Sequence, residues 1–149
     1  MQAKQFCGNE QFLVLGGDNL FSVEDLLAVQ QQDEYCYVVG KPEQEWKKYG
    51  VLVVDGGKLL RIVEKPQEYV GDLINTGLYK FTPAIWDALA GIGLSPRGEY
   101  ELTDAVSLLA AQGKVKVLRM QGSWQDLGCR EDVGRIAGRL GRGGSAGVR

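Results

Sequence analysis

Histidine is missing altogether from the 149 residues of this chain. That excludes an imidazole general base, a Ser-His-Asp triad and a histidine-ligated zinc site. Cysteine is scarce: Cys7, Cys36 and Cys129 stand far apart, make an odd number and form no Cys-x-x-Cys pair. Neither a zinc ribbon nor a disulfide framework is signalled, and a reducing, cytoplasmic compartment is the expected setting. Cys129 has only Arg130 as a basic neighbour, so a reactive thiolate is not expected there. No apolar run nears the about 18 residues of a membrane span. The opening Met1-Gln2-Ala3-Lys4-Gln5-Phe6 lacks the apolar core of a signal peptide. Charge of one sign is lacking too: 17 basic residues stand against 19 acidic ones, net −2, with no electrostatic signature for nucleic acid.

What is present is the composition of a globular domain, 44% hydrophobic and 24% charged. A chain of this length can bury about two-thirds of its unfolded surface. Phe12-Leu13-Val14-Leu15 reads as a buried strand closed by Gly16-Gly17-Asp18. Ser22-Val23-Glu24-Asp25 has capping-box spacing and predicts a helix to about residue 32, with Val23, Leu26 and Leu27 on its inner face. Tyr35-Cys36-Tyr37-Val38-Val39 is the next strand. Strand, helix, strand is a βαβ unit, which predicts an α/β fold with a parallel sheet covered by helices.

Further along, Val51-Leu52-Val53-Val54 and residues 58–64 flank Asp55-Gly56-Gly57 as a hairpin. Residues 73–81 form a long β-rich run containing Gly77. Thr82-Pro83 predicts a helix capped by Thr82, with Ile85, Trp86 and Leu89 facing the core and Gly91 as its stop. Thr103-Asp104 opens another helix closed by Gly113; residues 115–120 alternate as a strand with one wet face, and a weak helix is expected near Glu131. The expected division is a domain over 1–133 and a flexible Gly/Arg-rich tail over 134–149.

Several residue groups could carry chemistry. Asp18 follows Gly16-Gly17 at a strand's C-terminal tip, the edge where open α/β sheets bind ligands; a plain Asp18-Asn19 turn fits as well. Asp126, in Trp124-Gln125-Asp126-Leu127-Gly128, is either a second edge carboxylate or a solvated loop acid. Two aspartates from separate strand ends suit a Mg²⁺ ion that keeps most positions for phosphate and water. Glu64-Lys65-Pro66 ends a strand. Its lysine suits a phosphate and its glutamate suits sugar hydroxyls, or the two form an exposed ion pair. Asn75-Thr76-Gly77 and Tyr49-Gly50 offer close backbone approach within β-rich segments. Arg97-Gly98-Glu99-Tyr100-Glu101-Leu102-Thr103-Asp104 either overlies a pocket or simply leads into a helix. Trp46, Trp86 and Trp124 read as packing residues.

The order of these groups is more specific than any one of them. Gly-Gly-Asp-Asn after a strand, Tyr-Gly-Val before a hairpin, Glu-Lys-Pro after it, Ile-Asn-Thr-Gly, Arg-Gly-Glu-Tyr-Glu-Leu-Thr-Asp and Trp-x-Asp-x-Gly follow in series. In that series, over residues 2–133, the chain resembles the sugar-phosphate nucleotidyltransferases, of the glucose-1-phosphate thymidylyltransferase and uridylyltransferase type. The resemblance implies a Rossmann-like, mixed and mainly parallel sheet covered by helices. It implies coupling of a hexose-1-phosphate to a nucleoside triphosphate, giving a nucleotide-sugar and pyrophosphate. In-line transfer of this kind needs positioning and charge neutralisation rather than an imidazole. By resemblance Asp18 and Asp126 are the magnesium ligands, Glu64 binds sugar hydroxyls, and Lys65 grips the sugar phosphate. Tyr49, Gly50, Asn75, Thr76 and Gly77 are expected to border the sugar.

The family's opening Gly-x-Gly-Thr-Arg loop, which grips the triphosphate, has no counterpart here; Gly56-Gly57 and Gly143-Gly144 have the wrong flanks. Residues 2–10 instead resemble a helix end well inside the family domain. The expectation is a fold lacking the N-terminal strand and loop, and impaired triphosphate binding. The rival expectation is a non-catalytic remnant or a sugar-phosphate-binding regulatory subunit. Smaller departures are Gly16-Gly17-Asp18 for Asn-Gly-Asp, and Gly128-Cys129-Arg130-Glu131-Asp132 for Gly-Thr-Pro-Glu-Asp. Expected partners are the two substrates and either a second copy or a complementing N-terminal chain, since an unpaired edge along residues 12–15 invites association.

Overall fold

A computed structural model of the chain describes residues 2–127. The weak helix near Glu131, the 134–149 tail and Cys129 lie outside the described residues. In chain order the elements are α1 (Lys4–Cys7), β1 (Phe12–Leu15), β2 (Asn19–Phe21), α2 (Val23–Ala28), β3 (Cys36–Pro42) and a 3-10 turn (Trp46–Lys48). Then follow β4 (Gly50–Asp55), β5 (Lys58–Glu64), β6 (Leu73–Phe81), α3 (Ala84–Gly91), α4 (Leu102–Ala111), β7 (Val115–Arg119) and β8 (Trp124–Asp126).

The fold is mixed α/β. Six strands form one sheet in the order β1-β6-β3-β7-β5-β4, while β2 and β8 make a separate two-stranded ladder. β3 and β7 pair in parallel from Cys36↔Val115 to Gly40↔Arg119. The strands of the expected βαβ unit, β1 and β3, point the same way but are not neighbours. β6 lies between them, antiparallel to both, with Phe12↔Phe81 on one side and Tyr37↔Lys80 on the other. Among the described residues the remaining ladders are antiparallel, so the sheet is less parallel than the sequence suggested. The physical reason lies in β6: its nine residues are mostly buried along their whole length, and such a strand belongs in the interior of a sheet.

Alternation along the strands builds two apolar layers. Cys36, Val38, Tyr79 and Phe81 pack with Ile85 and Trp86 of α3 and Val106 and Leu109 of α4. Tyr37, Val39 and Leu78 face the other way and meet Val29, with Leu26 of α2 packed beside them. Burying each such large side chain contributes about 1.5–3 kcal/mol. The hairpin β4–β5 forms as expected. Gly56 and Gly57 both have positive φ, +53° and +79°, the backbone that a tight two-residue hairpin turn requires.

Three local expectations need correction. α2 ends at Ala28 rather than near residue 32, because Val29 turns fully into the core directly after it. Val23 and Leu27 are therefore exposed, at 70% and 64%, and only Leu26 of the expected trio packs inward. Thr82 does not cap α3. Its hydroxyl lies 3.4 Å from the Cys36 sulfur, and no side-chain cap is formed there. Ser22 does cap α2, accepting from the Asp25 amide at 3.3 Å, but Asp25 returns no bond to the Ser22 backbone. The Ser22 amide instead donates to the Ser123 carbonyl at 3.0 Å. β1 has strand neighbours on one side only among the described residues, and Leu15 is 44% exposed.

Candidate active site

The β2–β8 ladder brings Asp18 and Asp126 together. Asn19 is in register with Asp126, and the Leu127 amide donates to the Asp18 carbonyl at 2.8 Å. Asn19 ties the pair to its surroundings. Its Nδ2 donates to Asp18 Oδ1 at 2.7 Å, and its Oδ1 accepts from the Trp124 indole Nε1 at 2.8 Å. The turn before it is closed by Gly16, whose amide donates to the Gly77 carbonyl at 3.1 Å. A Cβ on Gly16 would lie 2.5 Å from Asn19 Nδ2, so this glycine is a requirement of the Asn19 position.

A second group forms where β4, β5 and β6 meet. Gly50 is in register with Glu64, and a Cβ at Gly50 would lie 2.8 Å from Glu64 Oε2 and 3.8 Å from the Asn75 Cβ. Leaving out that side chain gives the Glu64 carboxylate its room. Asn75 is oriented by its neighbours: Nδ2 donates to the Tyr79 hydroxyl, and Oδ1 accepts from the Gly77 amide at 3.1 Å. An amide nitrogen has two hydrogens, so Asn75 keeps a donor beyond the one engaged with Tyr79. The Lys65 amide donates to the Tyr49 carbonyl at 3.1 Å. Lys65 itself sits at φ +43°, the only positive φ of a non-glycine residue among the described ones. That conformation, directly before Pro66, costs about 1–2 kcal/mol.

Tyr49 joins the two groups. Its ring meets the Trp124 ring edge-on at 5.8 Å, with Lys41 Nζ 5.6 Å above that indole. Burial raises the Tyr49 phenol above its ordinary pKa, and the nearby negative charge of Asp126 adds to the shift. Burial likewise raises Glu64, reinforced by Glu101 and opposed by Lys65 and Arg97. Arg97 reaches Glu64 at 3.8 Å while its other nitrogens lie 3.0 Å from Glu99 and 3.7 Å from Glu101. The 97–104 segment therefore does lie beside the Glu64 group. Tyr79 is pushed up to about 12, chiefly by burial; the Asn75 hydrogen bond opposes this and the Glu64 charge adds to it.

Of the residues singled out in the sequence, Asp18, Asp126, Tyr49, Gly50, Glu64, Lys65, Asn75 and Gly77 fall within this connected region. Thr76 does not. It is only 2% exposed, and its hydroxyl donates to the Val39 carbonyl at 2.8 Å, inside the other layer. Strand alternation alone separates it from Asn75 and Gly77. The sequence reading missed Asn19 as a linking side chain and Trp124 as a wall of the site. Their signals were an amide directly after Asp18 and an indole two residues before Asp126, on the same face of a strand.

The mixed sheet and the two-stranded ladder beside it bring two aspartates, a Glu-Lys pair and bare glycine backbone into one connected region of an α/β fold. The family profile of nucleotidyl transferases matches residues 1–139, and the chain belongs to that family. It is similar to the UTP–glucose-1-phosphate uridylyltransferase of Haloferax volcanii, 35% identical over 139 residues, covering 89% of this chain and 57% of the relative. It is also similar to a bifunctional sugar-1-phosphate nucleotidylyltransferase/acetyltransferase of Sulfurisphaera tokodaii, 39% identical over 121 residues, covering 80% and 30%. Among solved structures it is similar to a Bacillus anthracis protein assigned as a glucose-1-phosphate thymidylyltransferase and solved with a sucrose. That match has a TM-score of 0.76 at 27% identity, covering 99% of this chain and 61% of the other. A UDP-glucose pyrophosphorylase complexed with UDP-glucose shares the fold, with a TM-score of 0.81 at 22% identity over 95% of this chain and 60% of that one. The chain thus spans between about a third and three-fifths of these relatives' lengths.

Proposed function

We propose that this chain carries the sugar-phosphate half of a sugar-1-phosphate nucleotidyltransferase site. The observation that carries the reading is the meeting of the Asp18/Asp126 ladder with Glu64, Gly50 and Asn75 across the Tyr49–Trp124 contact. Glu64 accepts hydrogen bonds from vicinal hydroxyls of a hexose, in the room left by Gly50. Asn75 adds a donor whose direction Gly77 and Tyr79 fix. Lys65 supplies a compact cation to the sugar phosphate. The reaction served is attack of that phosphate's oxygen on the α-phosphate of a nucleoside triphosphate, which forms one P–O bond, breaks another and releases pyrophosphate.

The residues fit a divalent cation of the magnesium type. Asp18 and Asp126 are hard oxygen donors on adjacent strand ends. Among the described residues no group of three or more histidine, cysteine, aspartate or glutamate side chains stands together as a complete metal cage. Two carboxylates without a cage suit a cation that shares its coordination with phosphate and water. When bound, such an ion neutralises phosphate charge.

Thermal unfolding tests the reading. Glucose-1-phosphate or another hexose-1-phosphate with Mg²⁺ should raise the Tm, and Lys65→Ala should abolish the shift. Absence of a shift with every hexose-1-phosphate would overturn the proposal. No helix among the described residues is long and apolar enough to cross a membrane.

A further inference from the structure

Asp25 lies outside the groups just described, yet it is one of the few polar side chains buried among the described residues, only 3% exposed. Its carboxylate is fully engaged by the segment between β7 and β8 and by its own helix cap. Oδ1 accepts from the Gln121 amide at 2.8 Å, and Oδ2 accepts from the Gly122 amide at 3.0 Å and from the Ser22 hydroxyl at 2.7 Å. Hydrogen bonds to an ionised acceptor are stronger than neutral ones, and loss of a buried partner leaves its donors unsatisfied.

The place of this joint in the chain gives it a consequence. On one side Asp25 belongs to α2, which follows β2 directly; on the other, Gln121 and Gly122 lead directly into β8. The Ser22 amide bonds the Ser123 carbonyl at 3.0 Å, so the β2–β8 ladder starts at the joint and ends at Asn19↔Asp126 and the Asp18–Leu127 bond. The contact is tight: a Cβ on Gly122 would lie 2.1 Å from Ser22 Oγ, 2.6 Å from Ser22 Cβ and 3.0 Å from Asp25 Oδ2. That glycine lets the two backbones approach closely enough for the carboxylate to bridge them.

We infer that Asp25 is a positioning residue, whose buried carboxylate sets the β2–β8 register and thereby the relation of Asp18 to Asp126. The inference rests on the proposed role of those two aspartates for its functional meaning, but its structural content can be tested separately. Two indoles in the same molecule provide the comparison. Trp124 Nε1 donates to Asn19 Oδ1 at 2.8 Å, inside the affected ladder, whereas Trp86 Nε1 donates to the Gly8 carbonyl at 3.1 Å, against the other layer.

The experiment follows both indole N–H signals of the full chain by NMR, in Asp25→Asn and in Gly122→Ala, and titrates each with Mn²⁺. Asp25→Asn keeps the shape but turns one acceptor into a donor facing an amide; Gly122→Ala forces the same joint apart sterically while leaving the carboxylate's chemistry unchanged. In either variant the Trp124 indole proton should exchange about tenfold faster while Trp86 is unchanged, the factor expected for losing one charge-assisted hydrogen bond. Mn²⁺ should broaden Trp124 before Trp86 in the unaltered chain, and about tenfold more metal should be needed in the variants. If Asp25→Asn fails to fold, Gly122→Ala answers the same question. An unchanged Trp124, or equal changes at both indoles, overturns the inference. Mn²⁺ that leaves Trp124 of the unaltered chain sharp overturns the two-aspartate metal reading instead, and the exchange rates still judge Asp25.

Discussion

Two carboxylate centres in this protein have opposite electrostatics. Asp33 is held by short contacts: Tyr37 Oη donates to it at 2.7 Å, Lys80 at 3.2 Å and Lys116 at 3.3 Å. Burial pushes its pKa up, but the Tyr37 hydroxyl, Lys80, the Tyr35 amide and Lys116 together outweigh this and lower it to about 2. Glu64 is raised instead, and the guanidinium nearest it stands 3.8 Å away with two other glutamates to serve. The residue after Glu64 has the strained backbone. A charge whose partners are complete is a structural fitting. One with a single distant partner, next to a strained backbone, supports the ligand role proposed for Glu64.

The contrast is open to direct attack, and the largest effect is expected on the structural side. Lys80 is 3% exposed, and its ammonium donates to the carbonyls of Asp33 and Tyr35 at 2.9 and 2.8 Å as well as to the Asp33 carboxylate. Lys80→Met keeps the stem but removes the buried ammonium from all three acceptors, leaving the Asp33 carbonyl to Gln11 and the Asp33 carboxylate to Tyr37, Lys116 and the Tyr35 amide. This should destabilise by about 2–4 kcal/mol in denaturant unfolding. A loss below about 1 kcal/mol would show that the cluster is not structural.

The next two effects have opposite pH slopes. Asp33 titrates lower in the folded state, so its stabilisation is complete above the ordinary value of 3.8 and is lost as pH falls toward about 2. Asp33→Asn should therefore cost roughly 1–2 kcal/mol near neutrality, after allowance for solvent screening, and nothing below about pH 2. Glu64 titrates higher in the folded state, so its protonated form favours folding. That contribution is present below the ordinary 4.5 and is lost as pH rises through the elevated value. Glu64→Gln should be no less stable than the unaltered chain near neutrality, and its advantage should vanish in acid, while hexose-1-phosphate binding is lost. Parallel pH–stability curves for the two variants would erase the distinction.

How much of this was legible in the sequence follows the range of the interactions. The hairpin was readable because Asp55-Gly56-Gly57 is a local signal, and β1 because Gly16-Gly17 cuts a short apolar run. The ordered motifs put Asp18 at a strand tip, Glu64 and Lys65 where a strand ends and Asn75 inside a β-rich run. The structure links these segments through the Gly16–Gly77 and Tyr49–Lys65 backbone bonds and the Gly77–Asn75 contact. The insertion of β6 between β1 and β3 was invisible, since it depends on pairing between distant segments that no spacing encodes. Asp25 looked like a capping-box partner, and only tertiary structure showed it turned toward Gln121 and Gly122, roughly a hundred residues on. Thr76 was a different failure. The alternation of β6 already put it on the Ile74–Leu78 face, and grouping it with its sequence neighbours overrode a signal that was present.

The smallest effect separates strain from chemistry at Lys65. At φ +43° any side chain with a Cβ is penalised and glycine is not. Lys65→Ala keeps the Cβ and hence the strain; Lys65→Gly removes it while making the unfolded chain more flexible. The glycine variant should therefore exceed the alanine variant by only about 0.5–1 kcal/mol in unfolding free energy. Neither carries an ammonium, so neither should show a Tm shift with hexose-1-phosphate. Equal stability of the two would mean that the bend at Lys65 is unstrained and that Glu64's incomplete pairing alone marks the site. Retained ligand binding in Lys65→Gly would mean that the bend, and not the charge, is what the ligand requires.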